Sequence, residues 1–378
     1  MIRLQSRPLR LVAAGLTLIV LGAACGSPSP DKEAGGAIGE TTTTTVAKGP
    51  DTTAAQLRSR LNGLLQERVY LAAAVAASRG RADEAAAAQA ALDGNTDALA
   101  ANMTAIFTGP DANVAKQFPE LWKGGVAQNA GEIGALFSSA MPPLTADAVS
   151  GPLSAAEQGV GNGTNFTSVR AAASQMATLA STLSRAIHGK YPDKVGGDPA
   201  SKAADLLTGL NAGLSEHVFL AAAATNGALA GRSDEFAAAK AGLDANSDAI
   251  TKVIGDVYGP QAATAFSPLW NQHIDFLVQY TTAVAGKQQA NADKAMADLL
   301  AYTAAFGGFI NQASPKLTKD AVADLIKTHV LTLKDIIDAQ AAKDFTKAYG
   351  NLRTAADHMA MIAVPLTTTI VAQFPDKF

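Results

Sequence analysis

After Ala54 the apolar positions of this chain recur with the period of a helix, and they keep it almost to the C-terminus. The stretch before that reads differently. Arg3, Arg7 and Arg10 lead into an apolar run from Leu11 to Leu21, and small residues follow up to Cys25. Residues 26–52 are rich in Gly, Ser, Pro and Thr (Gly26-Ser27-Pro28-Ser29-Pro30, then Thr41 to Thr45), the composition of a solvated spacer. Within the helical part, Pro260 and Pro315 punctuate joints between elements, where a lost N–H is tolerated. Pro268 and Pro365 fall inside expected helices, which they should start or kink. The pattern predicts an all-α protein.

The helical part is a tandem duplication. Leu92-Asp93-Gly94-Asn95-Thr96-Asp97-Ala98 returns as Leu243-Asp244-Ala245-Asn246-Ser247-Asp248-Ala249, and Gly109-Pro110 returns as Gly259-Pro260. Phe118 with Leu121-Trp122 returns as Phe266 with Leu269-Trp270. Leu144-Thr145 through Val149 matches Leu317-Thr318 through Val322, and Tyr191-Pro192-Asp193-Lys194 matches Phe374-Pro375-Asp376-Lys377. Two helical-bundle domains are expected, 53–196 and 197–378. Between the Trp and Leu-Thr matches the first copy is about 25 residues shorter, roughly one helix's worth. It also carries Gly151-Pro152 and the glycines 159, 161 and 163, which are costly inside helices. The first domain therefore reads as degenerate, with one helix lost.

A finer repeat runs through the second copy. His217, His273 and His329 follow one another at about 56 residues, and each begins an apolar stretch. Gly231, Lys287 and Lys343 stand about fourteen residues after them, and Asn246, Tyr302 and His358 about 29 after. Three helical hairpins, six helices in all, are expected, with their turns near the first set and return helices carrying the second.

Composition narrows the function classes. Lys+Arg 30 against Asp+Glu 33 gives a net charge of −3, with nothing like the basic stripe that nucleic acid requires. With Cys25 the single cysteine, intramolecular disulfides and cysteine-based metal sites are excluded. A basic start, a short apolar run and small residues form a secretory signal over 1–24, too short to span a membrane. Leu21-Gly22-Ala23-Ala24-Cys25 resembles the lipobox of bacterial lipoproteins. That resemblance implies cleavage before Cys25, its lipidation, a lipid-anchored linker over 25–52, and a membrane as partner outside the cytoplasm.

Four of the five histidines, His217, His273, His329 and His358, fall mid-helix on four helices of the second domain, at similar heights. Their counterparts in the first copy are Arg68, Gly125, Ala156 and Gln175, so all four are missing there together. A set of imidazoles inside a bundle suits a transition metal such as copper or zinc, or axial ligation of a haem. The alternative is a structural polar layer bonded internally, to Tyr302 or Asn246, or to water. Met359 and Met361 flank His358; a thioether suits Cu(I), though core packing is its commoner use. Trp270 shares a face with His273 and should pack against the site, whereas His188 reads as surface. The repeated Leu-Asp-x-Asn motif (Asp93, Asp244) reads as helix–helix hydrogen bonding. No phosphate loop, G-x-S-x-G elbow, H-E-x-x-H or nucleophilic cysteine is present, and Glu216 is poorly phased to serve His217 as a base, so no enzyme is expected.

The second copy, from Glu216-His217-Val218 through Trp270-Asn271-Gln272-His273 and Lys327-Thr328-His329-Val330 to Asp357-His358-Met359, resembles a family of secreted Gram-positive helical lipoproteins often labelled copper amine oxidases. True copper amine oxidases are β-rich, make a quinone from the tyrosine of Asn-Tyr-Asp/Glu and hold copper through His-x-His; neither pattern occurs here. The resemblance implies a cell-envelope lipoprotein and carries no oxidase activity. The expectation is an envelope protein whose second bundle binds a metal, copper favoured, with a haem bundle or a ligand-free scaffold as alternatives.

Overall fold

Polar side chains cap half of the helices. In the computed structural model, which describes residues 47–378, the side chains of Thr52, Thr145, Asn165, Ser201, Thr318 and Asp344 each accept a backbone N–H from the first turn of a helix. The signal over 1–24, Cys25 and most of the 25–52 linker lie outside the described residues. The first copy forms α1 (Thr53–Ala77), α2 (Ala82–Ile106), α3 (Ala112–Lys123), α4 (Val126–Ala140), α5 (Ala146–Val160) and α6 (Phe166–Lys190). The second forms α7 (Lys202–Leu229), α8 (Ser233–Tyr258), α9 (Pro260–Ala285), α10 (Gln289–Ala313), α11 (Lys319–Ala341) and α12 (Phe345–Gln373). No strand occurs among the described residues, so the protein is all-α.

The second copy is the expected three hairpins. Gly231, Lys287 and Lys343 sit in their turns at φ 66°, 53° and 58°. That left-handed conformation suits glycine and strains lysine. Lys287→Gly and Lys343→Gly should each raise stability by about 0.5–1 kcal/mol, read as a shift in the urea midpoint at constant slope. Pro268 and Pro365 lie within α9 and α12 rather than starting them.

The first copy has not lost a helix. Gly134 and Gly307 mark equivalent places: a Cβ on either would meet the carbonyl oxygen of Ala146 or of Lys319, respectively, at 2.4 Å. The α4–α5 and α10–α11 pairs thus approach equally closely. The missing residues come from the tip of the α3–α4 hairpin. α3 ends one residue after Trp122, whereas α9 runs on from Trp270 to Ala285. Gly125, the counterpart of His273, lies in the shortened turn at φ 109°. The same loss of length that made the first copy look eroded took away the backbone on which a second histidine would stand.

The two copies are packed against each other. The described residues belong to one compact unit, and one hydrophobic cluster runs through both repeats. α1 packs on its counterpart α7, while α12 meets α2 and α6 meets α8. The joints are reciprocal. Glu67 on α1 takes Asn95 Nδ2 at 2.8 Å and Arg353 Nε of α12 at 2.7 Å. Glu216 on α7 takes Asn246 Nδ2 at 2.7 Å and Arg170 Nε of α6 at 2.9 Å. Tyr70 and Phe219, again counterparts, stack at 5.2 Å between the repeats. Arg81, Glu84, Arg232 and Glu235 close a ring of four ion pairs between them. The asparagines of the repeated motif, Asn95 and Asn246, therefore bond helix to helix, whereas Asp93 and Asp244 take Gln89 and Lys240 of their own helices.

Candidate metal centre

Each hairpin of the second repeat sends its first helix inward. α7, α9 and α11 all touch one another, and each carries one histidine at the level where they meet. His217, His273 and His329 are 1%, 3% and 5% exposed, and one ring nitrogen from each lies within 4.8 Å of the others. The Nε2 atoms of His217 and His273 stand 3.3 Å apart. Two nitrogens bound to one tetrahedral ion at 2.0–2.1 Å are separated by about 3.3 Å, so this pair already has the spacing of co-ligands. The ring centroids of His217 lie 5.2 Å from His273 and 5.8 Å from His329.

His358 is not brought to this cluster. It is half-buried on α12, and its Nε2 faces the carbonyl oxygen of Leu325 at 3.2 Å. The four-histidine layer is a three-histidine cluster. Of the other residues at that register, Asn246 bonds Glu216 and the Gly213 carbonyl, and Tyr302 meets the cluster through its ring, stacked on His273 at 5.3 Å. A polar layer bonded to Asn246 or Tyr302 thus loses both partners. The Nδ1 atoms of all three histidines find no hydrogen-bond partner. Buried polar atoms left so cost about 1–3 kcal/mol each and ask for an explanation.

Burial sets the protonation. It pushes His217 well below the ordinary histidine range, with the charges of His273 and His329 adding to the effect. It brings His273 down to about 4, against the Trp270 carbonyl, which pulls the other way without reaching hydrogen-bond geometry. His329 falls to about 3. All three are neutral at pH 7 and can act as ligands.

Trp270 packs on the site as expected, 5.0 Å from His217 and 4.7 Å from His273, with its N–H donated to Ser247 Oγ. The three imidazoles line a cavity of about 70 Å³ with Trp270, Phe306, Ile254 and the buried Met359, while Met361 points to solvent at 60% exposure. The Nε2 atoms of His217 and His273, 3.3 Å apart, stand closer than two axial ligands on opposite sides of one iron. His188 is half-buried, its Nδ1 at 2.6 Å from the Val195 carbonyl, so it is a fastening of the inter-repeat segment and not free surface.

The first repeat fills the corresponding layer differently. Arg68, in the place of His217, lies over Trp122 at 5.1 Å and pairs with Glu157 at 3.2 Å. The Arg68–Glu157 pair escaped the sequence reading; the signal was a charged pair appearing in the one copy that lacks the histidines. Compared with protein families, characterised proteins and solved structures, the chain matches none. The resemblance to the secreted lipoprotein family rests on sequence motifs alone.

Proposed function

We propose that this chain is a non-catalytic cell-envelope lipoprotein, anchored through Cys25, whose second repeat binds one transition metal ion through His217, His273 and His329, with copper favoured over zinc. The observation that carries this reading is the convergence of three neutral, buried imidazoles from three separate helices, two of them already at co-ligand spacing. The loss of Asn246 and Tyr302 as hydrogen-bond partners supports it. Haem is disfavoured because the Nε2 atoms of His217 and His273 stand closer than two axial ligands across one iron.

The test is co-purification and thermal melting. About one equivalent of metal per chain should accompany the full-length protein. An ion present at about 100 Kd should stabilise it by about 2.7 kcal/mol, a rise in Tm of several degrees. His217→Ala, His273→Ala and His329→Ala should abolish that rise, whereas His358→Ala and His188→Ala should keep it. If no ion moves the melt, the cluster is a structural layer and the scaffold reading stands, for which the 3.3 Å contact between His217 and His273 would be a hydrogen bond.

A further inference from the structure

We propose that this centre, on the reading that it holds a metal at all, selects monovalent copper, Cu(I), over divalent zinc. The argument begins with charge. The three ligands are neutral imidazoles at 5% exposure or less, and no carboxylate belongs to the group of converging donors. The nearest acidic residue in sequence, Glu216, is held by Asn246, Arg170 and Tyr70 at the joint between repeats. An ion bound here keeps its whole charge inside an apolar chamber. The cost of stripping water from an ion grows with the square of its charge, so a divalent ion meets roughly four times the penalty of a monovalent one.

The surroundings of the ligands point the same way. Zinc-binding histidines often give their second ring nitrogen to a carboxylate, which raises their basicity; here no carboxylate accepts from the Nδ1 atoms of His217, His273 and His329. Zinc held by three histidines completes its shell with a water or another donor. The chamber offers instead the thioether of Met359, 1% exposed and lining the same cavity. Soft sulfur favours Cu(I).

The experiment uses the full-length chain in detergent under strict exclusion of oxygen. Cu(I) is titrated against a chromophoric Cu(I) chelator, Ag(I) serves as a redox-inert monovalent probe, and Zn(II) is titrated against a zinc indicator. One equivalent of Cu(I) and of Ag(I) should bind, both lost in His273→Ala, with Zn(II) at least 100-fold weaker. Zn(II) held as tightly as Cu(I) through the same three histidines would overturn the selectivity and leave the metal site standing. Failure of every ion to bind would overturn both. Met359→Glu places a carboxylate in the chamber and should move the Cu(I)-to-Zn(II) affinity ratio toward zinc at least tenfold. Met359→Leu, which keeps volume and packing should the glutamate not fold, should lower Cu(I) affinity about tenfold and leave zinc unchanged. A ratio that stays fixed in the leucine variant overturns the role of the sulfur.

Discussion

Taking the metal-free protein from pH 7 to pH 5 should cost several kcal/mol of stability. The loss arises from three histidines buried neutral. In the unfolded chain each titrates near 6.5, whereas burial holds His273 at about 4, His329 at about 3 and His217 well below its ordinary value. Between those limits the unfolded state binds more protons than the native one, so stability falls as pH falls. The contribution is complete above about pH 6.5 and drains away below it, by about 2 kcal/mol for each histidine at pH 5. Set against a typical total of 5–15 kcal/mol, that is large. Urea unfolding of chelator-treated protein across pH 4.5–8 measures it. His329→Gln should remove about one proton from the slope below pH 6.5. A slope as steep in that variant as in the parent would show that the acid sensitivity lies elsewhere.

The second large effect concerns the joint between repeats. Arg353→Ala should destabilise the protein by about 3 kcal/mol, and its counterpart Arg170→Ala by only about 1 kcal/mol. The difference follows from what each carboxylate keeps. Without Arg170, Glu216 still has Asn246 and the hydroxyl of Tyr70 at 2.5 Å. Without Arg353, Glu67 keeps only Asn95, and its counterpart to Tyr70 is Phe219, which has no hydroxyl. Burial already raises the Glu67 carboxyl above its ordinary value in spite of the arginine. Removing the arginine raises it further, so the native state gains a proton there before the unfolded chain does. The deficit of Arg353→Ala relative to the parent should therefore shrink as pH falls toward 5. Equal losses at the two positions, or a deficit that grows in acid, would contradict this account.

Much of this arrangement was legible before any coordinates. The even spacing of His217, His273 and His329 gave the hairpins, their turns at Gly231, Lys287 and Lys343, and the common height of three imidazoles. Height along a bundle follows from counting residues; direction around a helix does not follow so readily. His358 stands at the right height, yet on α12 it faces the Leu325 carbonyl and not the centre formed by α7, α9 and α11. The shortfall in the first repeat was visible as a number of residues. That it came off the two arms of one hairpin, and not as a whole helix, needed the matched contacts of Gly134 and Gly307. The union of the repeats was hidden for another reason. Arg170, Arg353, Tyr70 and Phe219 read as ordinary helix positions, because nothing in a helical period says whether the covering surface comes from the same repeat or the other.

The reciprocal bonds of Glu67 to Arg353 and Glu216 to Arg170 are those of an isologous interface, where whatever one subunit gives it also receives. The chain has the build of a homodimer whose protomers were joined end to end. In a true homodimer any change occurs twice, so a protomer cannot give up its ligands without its partner doing the same. A covalent join removes that constraint and keeps the halves at a high local concentration, since the second association becomes intramolecular. One half can then hold the Arg68–Glu157 pair where the other holds histidines, leaving one histidine cluster among the two repeats.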